Sequence, residues 1–343
     1  NGTKTSSPQQ IEITFEKDNK NTSEISCQDA ISGTEGKPSE TCKLKSTNAT
    51  CTDSLCNNKT YTHPAFTFGN EEIKGFWIGK FELTGTISSI TTKPNLSSIR
   101  SQSVSTFETN IMNMKNSGNR YGFSINTDTH MIKNSEWGAV AYLSHSKYGT
   151  CTSGSCVEIG INNNSNYMTG CGSSPSSSSS TTCNSYNTSN GMLASTTFNI
   201  YGVYDMSGCS WEYLMSNIVS NDGVTMMSGN ISSLNSGYTG ILYNGGLFSG
   251  ISYPNSKYYD KYSYSESYTS RIRSKLGDGI KEVFNTGDCG WYDDIVNIIF
   301  HSNPWSARGG RYDNTKNAGL FRANYCRGDS DYNDVSTRFI ITP

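Results

Sequence analysis

The chain has 343 residues, a net charge of −2, and only 16% charged residues. This balance argues against nucleic acid or an anionic membrane as a partner, because both would need a basic tract that the sequence lacks. Hydrophobic residues are 34% of the chain, but 21 Tyr, 13 Phe and 5 Trp supply large apolar side chains for a core. Since Ser, Thr, Asn, Gly and Tyr dominate, we expect more strand and loop than helix.

The N-terminal part, residues 1–60, is polar and has one clear alternating strand, Ile11 to Phe15. It contains too few apolar residues to form a core alone. We therefore predict either an extension that packs on the main domain or a small module held by disulfides. The main domain is predicted to cover residues 61–343, with Trp77, Ile78 and Phe81 in a strong strand.

Two helices are predicted early in the main domain. Phe107, Ile111 and Met114 are spaced for one face of a helix. A second helix is predicted from Asn134 or Ser135 as its N-cap, with Glu136 in its first turn and the run WGAVAYLS after it.

The later chain alternates between low-complexity segments and segments whose apolar residues predict ordered structure. Residues 147–197 include a serine tract and are predicted to form a long surface loop held by disulfides. Two short amphipathic helices are predicted further on, at Asp278 to Phe284 and at Trp291 to Phe300.

The 11 cysteines of this Ser/Asn-rich chain point to an oxidising compartment. Proximity in sequence predicts four disulfides, namely Cys27 with Cys42, Cys51 with Cys56, Cys151 with Cys156, and Cys171 with Cys183. Metal ligation by these residues is the weaker alternative, because no CxxC repeat exists. Cys209, Cys289 and Cys326 remain, so at least one of the three is expected to be free or intermolecular.

The sequence contains no signal peptide and no apolar run of about 20 residues that would span a membrane. It begins at Asn1 without a Met. Together with the cysteines, this favours a processed extracellular or cell-surface domain.

Three motifs occur in a fixed order in the second half of the chain. They are GVYDMSGCSWEY at residues 202–213, ARGGRY at residues 307–312, and an Arg inside a β-rich run at residues 337–339. In the first motif Asp205 and Glu212 flank a turn that contains Gly208. Two carboxylates with backbone carbonyls suit a hard cation such as calcium, but the same residues could instead cap the turn and accept backbone N–H bonds.

These motifs resemble those of the formylglycine-generating-enzyme, or sulfatase-modifying-factor, superfamily. GFWIGKFELT and SEWGAVAYLS resemble the family's first strand and first helix, so the resemblance covers about residues 61–343. It implies an α+β, C-type-lectin-like fold that is rich in loops, with small antiparallel sheets and two main helices. It also implies structural calcium at the matching positions, which are Asp205, Gly208, Ser210 and Glu212.

Buried structural roles are predicted for Trp211, Trp305, Arg308 and Arg338, since arginine suits fixed, bidentate hydrogen bonding. The adjacent glycines of the ARGGRY motif are expected to allow positive φ or close backbone approach.

One departure from the family pattern decides against its enzymatic activity. The enzymes carry two closely spaced cysteines after the RGG motif, which hold copper and oxidise the substrate. Here only Cys326 lies in that segment, and one thiolate cannot form a paired copper(I) site. No G-x-S-x-G motif suggests a nucleophile either. We therefore predict that the protein is not an enzyme.

The C-terminal segment, residues 303–343, is the predicted binding surface. The fold without enzyme residues resembles the ligand-binding variable proteins of diversity-generating retroelements, whose C-terminal strands and loops display variable residues. Tyr, Ser and Asn also dominate antibody paratopes, because they combine stiff contact area with adaptable hydrogen bonds. The predicted ligand-binding residues are Ser306, Arg311, Tyr312, Asn314, Arg322, Asn324, Tyr325, Arg327, Asp329, Asp331, Tyr332 and Asn333.

The function predicted from sequence is extracellular, adhesin-like binding of a protein or glycan without catalysis. Two alternatives are kept: a copper-dependent oxidase of the sulfatase-modifying type, and a structural subunit of a pilus or surface fibre. The second follows from a resemblance to pilus-associated surface proteins of Firmicutes.

Overall fold

The computed structural model describes residues 63–69, 71–152, 155–174, 183–219, 227–229, 237–238, 241–242, 254–263, 274, 277–280, 283, 289–300 and 303–342. In that part of the chain it shows an α+β fold with two α-helices, small sheets and many loops. The predicted strand Ile11 to Phe15 and the predicted pairs Cys27 with Cys42 and Cys51 with Cys56 lie outside the described residues. No helix in these ranges is long and apolar enough to cross a bilayer.

The first helix, α1, runs Val104–Met112. It begins after Ser103, whose hydroxyl accepts a hydrogen bond at 3.3 Å from the backbone N–H three residues on, and so satisfies a free donor of the first turn. Phe107 and Ile111 are fully buried, as their spacing predicts. Met114 is also buried, but it lies in a 3-10 turn just after the helix.

The second helix, α2, runs Asn134–Ser144, so its N-cap is Lys133 and the predicted cap residues Asn134 and Ser135 lie inside its first turn. Two carboxylates accept the backbone donors of its first turn. Glu136 accepts from the backbone N–H of Lys133 at 2.7 Å, and Asp260 accepts from that of Ser135 at 2.6 Å. Negative charge at a helix N-terminus is favourable, because the free N–H groups carry partial positive charge.

The remaining regular elements are short. The 3-10 helices of the described residues are Pro64–Phe66, Asn113–Lys115, Gly191–Ala194, Ser256–Tyr258, Trp291–Asp293 and Thr315–Asn317. The strands of the described residues are β1 Thr67–Phe68, β2 Glu71–Glu72, β3 Trp77–Ile78, β4 Thr84–Thr86, β5 Ser89–Thr91, β6 Asp128–Met131, β7 Cys151–Thr152, β8 Ser155–Cys156, β9 Cys171–Gly172, β10 Asn184–Ser185, β11 Trp211–Val219, β12 Met227–Gly229, β13 Ile241–Leu242, β14 Asp260–Ser263, β15 Trp305–Gly309, β16 Gly319–Cys326, β17 Val335–Ser336 and β18 Phe339–Thr342.

The main sheet has the strand order β14, β11, β15, β16, and β17 also pairs with β11. The pairs of β15 with β11 and with β16 are antiparallel, whereas β14 and β17 run parallel to β11. This sheet is therefore mixed, while the second sheet, β3, β18, β6, is antiparallel throughout. The remaining sheets of the described residues are two-stranded.

The core lies on both faces of the main sheet. On one face, Trp211, Tyr213 and Trp305 pack with Phe107 of α1. On the other, residues such as Leu214 pack with α2. Because successive residues of a strand point to opposite faces, β11 supplies both clusters. The predicted core positions of Trp211 and Trp305 are confirmed.

The disulfides Cys151–Cys156 and Cys171–Cys183 are present, as the sequence spacing predicts. Each holds a short hairpin, because β7 pairs with β8 and β9 pairs with β10. Both hairpins lie within the predicted loop 147–197.

The predicted helix from Trp291 to Phe300 is wrong. Only the 3-10 turn Trp291–Asp293 forms, and Tyr292 and Asp293 have φ of +62° and +67°, which no right-handed helix contains. The chain beyond the turn is extended and pairs Val296 with Ala323 of β16. The predicted helix from Asp278 to Phe284 is also wrong at the positions that the structure describes, which lie in turns or a bend.

Candidate binding surface

Two adjacent glycines turn the chain out of β15 and into the predicted binding segment. Gly309 and Gly310 have φ of +83° and +77°. A side chain on Gly309 would place its Cβ 3.2 Å from the ring of Trp137, and one on Gly310 would lie 3.0 Å from Cα of Ala318. The predicted need for positive φ and close approach at the Arg-Gly-Gly turn is thus confirmed.

Arg338 is fully buried and fixes the C-terminal segment, residues 303–343, to the rest of the fold. Its Nε donates to Glu212 Oε2 at 2.7 Å, and its Nη2 donates to the other oxygen of the same carboxylate. Nη1 and Nη2 also donate at 3.1 Å to the backbone carbonyls of Gly79 and Tyr204. This guanidinium therefore joins the chain just before β18 to β11 and to two upstream segments.

Arg308 is the second buried anchor. Its Nη1 donates at 2.9 Å to the side chain of Asn134 and to the carbonyl of Asp278, and its Nη2 donates at 3.3 Å to the carbonyls of Gly279 and Leu320. The guanidinium thus ties β15 to the start of α2. Both arginines have the buried, hydrogen-bonded roles that the sequence predicts.

Beyond these anchors, aromatic and charged side chains form what we call the Tyr312 surface, which consists of Arg100, Tyr167, Arg311, Tyr312 and Asp334. Asp334 is buried, and the other four side chains are partly exposed. The rings of Tyr167 and Tyr312 meet edge to face with centroids 5.2 Å apart. The guanidinium carbon of Arg100 lies 3.9 Å from the Tyr167 ring centroid. The three side chains therefore form one continuous stack.

Hydrogen bonds hold this stack in position. Arg100 Nη1 donates to the carbonyl of Asn333 at 2.7 Å, and the backbone N–H of Tyr312 donates to the carbonyl of Cys209 at 2.9 Å. Arg311 donates at 2.6 Å to the carboxylates of Asp313 and Asp334. The backbone N–H of Arg311 also donates to Asn314 Oδ1, so the side chain of Asn314 stabilises the turn between these two residues.

The loop that follows β16 ends at Asp334, which belongs to the Tyr312 surface. Arg327 Nε donates to Asp329 at 2.8 Å, and its guanidinium lies 4.9 Å from the ring of Tyr332. Asp331 lies 3.9 Å from the same guanidinium. Asp329 is only 4% exposed, so it supports the loop from inside, whereas Asp331 is exposed.

Strand alternation divides the other predicted binding residues. Ser306 pairs with Tyr325, and Ala307 pairs with Asn324. Directly paired residues point to the same face of a sheet and sequence neighbours to opposite faces. Ser306, which is 7% exposed, and Tyr325 therefore lie on one face, while Asn324 lies on the other. Arg322 shares the face of Asn324, where its guanidinium lies 5.2 Å from the Trp211 ring.

The twelve predicted residues thus do not form one surface. Arg311, Tyr312 and Asn333 come together around the stack. Arg100 and Tyr167 belong to the same surface, but no motif or spacing in the sequence selects them. Tyr167 stands alone in a low-complexity loop, and no periodicity relates it to the distant Tyr312.

The residues implied as calcium ligands lie in a buried acidic cluster. Asp205 Oδ1 accepts hydrogen bonds from Asn162 at 2.9 Å and from the backbone N–H of Gly170 at 3.0 Å. Both oxygens of Glu212 accept from Arg338. The turn between Asp205 and Glu212 instead directs the N–H of Ser210 to Glu82 at 2.9 Å.

This arrangement does not fit calcium at Asp205, Gly208, Ser210 and Glu212, because protein donors already occupy both carboxylates. No group of three or more His, Cys, Asp or Glu side chains suited to a metal ion occurs among the described residues. The contacts of Asp205 and Glu212 thus argue against the calcium that the family resemblance implies, and removal of calcium by a chelator tests this.

The acidic cluster is electrostatically crowded. Burial raises the pKa of Glu82 well above its usual value, and the charges of Glu212 and Asp205 raise it further. Burial raises the pKa of Asp205 to about 6. Three carboxylates thus share the single guanidinium of Arg338.

The three remaining cysteines are all free thiols. Cys326 is buried and donates to the carbonyl of Trp305 at 3.3 Å. Cys209 is buried beside Glu82. Burial raises the pKa of the Cys209 thiol and that of the Cys326 thiol. The predicted presence of at least one unpaired cysteine is confirmed.

Comparison of the sequence with protein-family models and with curated proteins gives no match. The function is therefore inferred from the geometry of the site.

Proposed function

We propose that the protein is an extracellular, non-enzymatic ligand-binding module with a C-type-lectin-like fold of the formylglycine-generating-enzyme type. Its binding face is the Tyr312 surface together with the adjoining Arg327 loop. The observation that carries this proposal is the Arg100, Tyr167 and Tyr312 stack, with centre-to-centre spacings of 3.9 and 5.2 Å.

The stack has the properties of a preorganised recognition surface. Its side chains are partly exposed, yet hydrogen bonds and ring contacts fix their orientations. Fixing a contact side chain before binding lowers the entropy lost in the complex. Tyr and Arg are also the residues that most often dominate binding energy at interfaces.

The extracellular location is supported by the two disulfides of the described residues, since such bonds persist mainly in oxidising compartments. A non-catalytic role is supported by the single cysteine, Cys326, in the segment after the RGG motif, whose thiol is buried and donates to a backbone carbonyl. Titration of the reduced protein with copper(I) tests the rival enzyme: stoichiometric binding that is lost in Cys326→Ser would contradict our proposal.

A glycan and protein array tests binding directly. Any ligand found for the unmodified protein should be lost with Tyr312→Ala and with Arg100→Gln, because each removes one end of the stack. The matched control is Tyr201→Ala, since Tyr201 is 87% exposed and lies outside the Tyr312 surface. Thermal unfolding shows whether each variant is folded. Unchanged binding by two folded stack variants would refute the assignment.

A further inference from the structure

The asparagine-rich run from Ile161 to Tyr167, with the sequence INNNSNY, forms an ordered loop that supplies one ring of the stack. Asn162 Oδ1 accepts from the backbone N–H of Asn164 at 3.2 Å, and Asn164 Oδ1 accepts from that of Asn166 at 2.9 Å. An asparagine side chain that bonds to the backbone two residues on closes a tight turn. The run of asparagines therefore builds two successive turns that lead directly to Tyr167.

The side chain of Asn162 also closes the far end of this loop. Asn162 is only 1% exposed, and its Nδ2 donates to the carbonyl of Met168 at 2.7 Å and to Oδ1 of Asp205 at 2.9 Å. The same carboxylate of Asp205 accepts from the backbone N–H of Gly170 at 3.0 Å. One asparagine and one carboxylate thus fix the loop on both sides of Tyr167.

The backbone of Asn162 pairs with the segment that holds the other tyrosine of the stack. Its N–H donates to the carbonyl of Ser207 at 2.8 Å, and its carbonyl accepts from the N–H of Cys209 at 2.7 Å. The carbonyl of Cys209 in turn accepts from the N–H of Tyr312 at 2.9 Å. Asn162 therefore bonds through its side chain to the loop of Tyr167, and through its backbone to the residue that holds Tyr312.

Close packing makes this connection stiff. A side chain on Gly208 would place its Cβ 2.2 Å from the carbonyl oxygen of Asn162, which is closer than a side chain can approach. The N–H of Gly208 donates at 3.2 Å to the carbonyl of Gly309, where the turn towards Tyr312 begins. A displacement of Asn162 is therefore passed on to both tyrosines.

We propose that Asn162 is a positioning residue that sets the two tyrosine rings of the Tyr312 surface relative to each other. It is buried, so it cannot touch a ligand itself, and it acts through Tyr167 and Tyr312. The inference rests on the proposed function of this surface. Edge-to-face rings are stabilised only over a narrow range of separations and angles, and a surface whose side chains are already in place loses less entropy on binding.

The nuclear Overhauser effect (NOE) between the rings of Tyr167 and Tyr312 reports their relative position before any ligand is added. The full chain is prepared with protonated tyrosine in a deuterated background. The two signals among the 21 tyrosines are identified by their loss in Tyr167→Phe and Tyr312→Phe. Because the ring centroids lie 5.2 Å apart, the unmodified protein should show this NOE.

Two variants of Asn162 should lose the NOE. Asn162→Ala removes both donated hydrogen bonds and the accepted one. Asn162→Asp keeps the shape and the acceptor for Asn164, but it sets a carboxylate oxygen against the carboxylate of Asp205 and the carbonyl of Met168. Like groups at these distances repel each other, so the loop that carries Tyr167 should shift.

Asn119→Ala is the matched control, because Asn119 also closes a loop by donating to two backbone carbonyls, those of Asn116 and Phe123, at 3.0 and 2.8 Å. It lies outside the Tyr312 surface, so the variant should keep the NOE at full intensity. Asn164→Ala removes only the bond to Asn166 and is the milder variant if those of Asn162 do not fold. It should weaken the NOE.

The glycan and protein array separates this role from the proposed function. An NOE of full intensity in a folded variant of Asn162, or in folded Asn164→Ala, would overturn the positioning role whatever the array shows. Loss of the NOE in the variants but not in Asn119→Ala supports it. If a variant without the NOE still bound the same array spots with unchanged affinity, the positioning role would hold, and the assignment of the Tyr312 surface as the binding face would be wrong.

Discussion

Removal of Arg338 should destabilise the protein more than removal of the carboxylate that binds it. Arg338→Met leaves Glu82, Asp205 and Glu212 buried together without their guanidinium. Breaking a buried ion pair by deleting one partner costs about 3–5 kcal/mol. The carbonyls of Gly79 and Tyr204 also lose a donor, at about 1 kcal/mol each.

Glu212→Gln has a smaller expected effect, about 1–3 kcal/mol, because the amide oxygen still accepts one hydrogen bond from the guanidinium. The change also removes one negative charge from the crowded cluster, and the charge of Asp205 remains to balance Arg338. Arg338→Met should therefore destabilise the protein more than Glu212→Gln, because several buried acids depend on the one guanidinium.

Urea unfolding, followed by tryptophan fluorescence and extrapolated linearly to water, measures both variants. Arg311→Met is the matched control, because its guanidinium also contacts two carboxylates but is 39% exposed, and exposed pairs contribute at most about 1 kcal/mol. If Glu212→Gln destabilised the protein as much as Arg338→Met, the inferred excess of negative charge would be wrong.

Glu108 and the calcium implied at Glu212 each lead to a further prediction. Burial raises the pKa of Glu108 from 4.5 to about 8, so the folded state retains a proton that the unfolded state releases, and this group's contribution to stability falls as pH rises from about 4.5 to 8. Glu108→Gln should therefore reduce the loss of stability between pH 5 and pH 8 in urea unfolding, and an unchanged pH dependence would contradict this pKa. For calcium, we expect a chelator to leave the melting temperature unchanged, since Arg338 already occupies Glu212. A fall in melting temperature that disappears in Glu212→Gln would instead establish the bound ion.

The buried anchors could be predicted from sequence because their residue types are restrictive. Paired glycines at positive φ have few substitutes, and a buried arginine needs several fixed acceptors. Gly309, Gly310, Arg308 and Arg338 accordingly have the predicted roles. Regular apolar spacing predicted α1, and capping residues together with apolar spacing predicted α2.

The segment after Trp291 could not be predicted in this way. Its apolar residues recur at spacings that suit a helix, but Ile298 and Ile299 are both buried in extended chain that runs beside β16. The positive φ of Tyr292 and Asp293 has little sequence signal, because tyrosine rarely adopts that conformation and aspartate adopts it less readily than glycine does.

The sequence predicted only some residues of the Tyr312 surface. Composition indicates which residue types suit binding, but not the face of the sheet on which each side chain lies. Whether Asn324 or Tyr325 points to a given side depends on the register of β16 with β15, which only the folded sheet defines. The stack itself needs Tyr167, which another part of the chain supplies.

The position of β18 has a consequence for the order of folding during synthesis. This strand lies between β3 and β6, so the second sheet has no direct pairing of its two early strands. Both must wait, unpaired, until residues 339–342 have left the ribosome. Pairing between such distant segments is slow, and strands that remain open are prone to wrong pairing. We therefore expect a nascent chain that ends before β18 to remain incompletely folded and sensitive to protease.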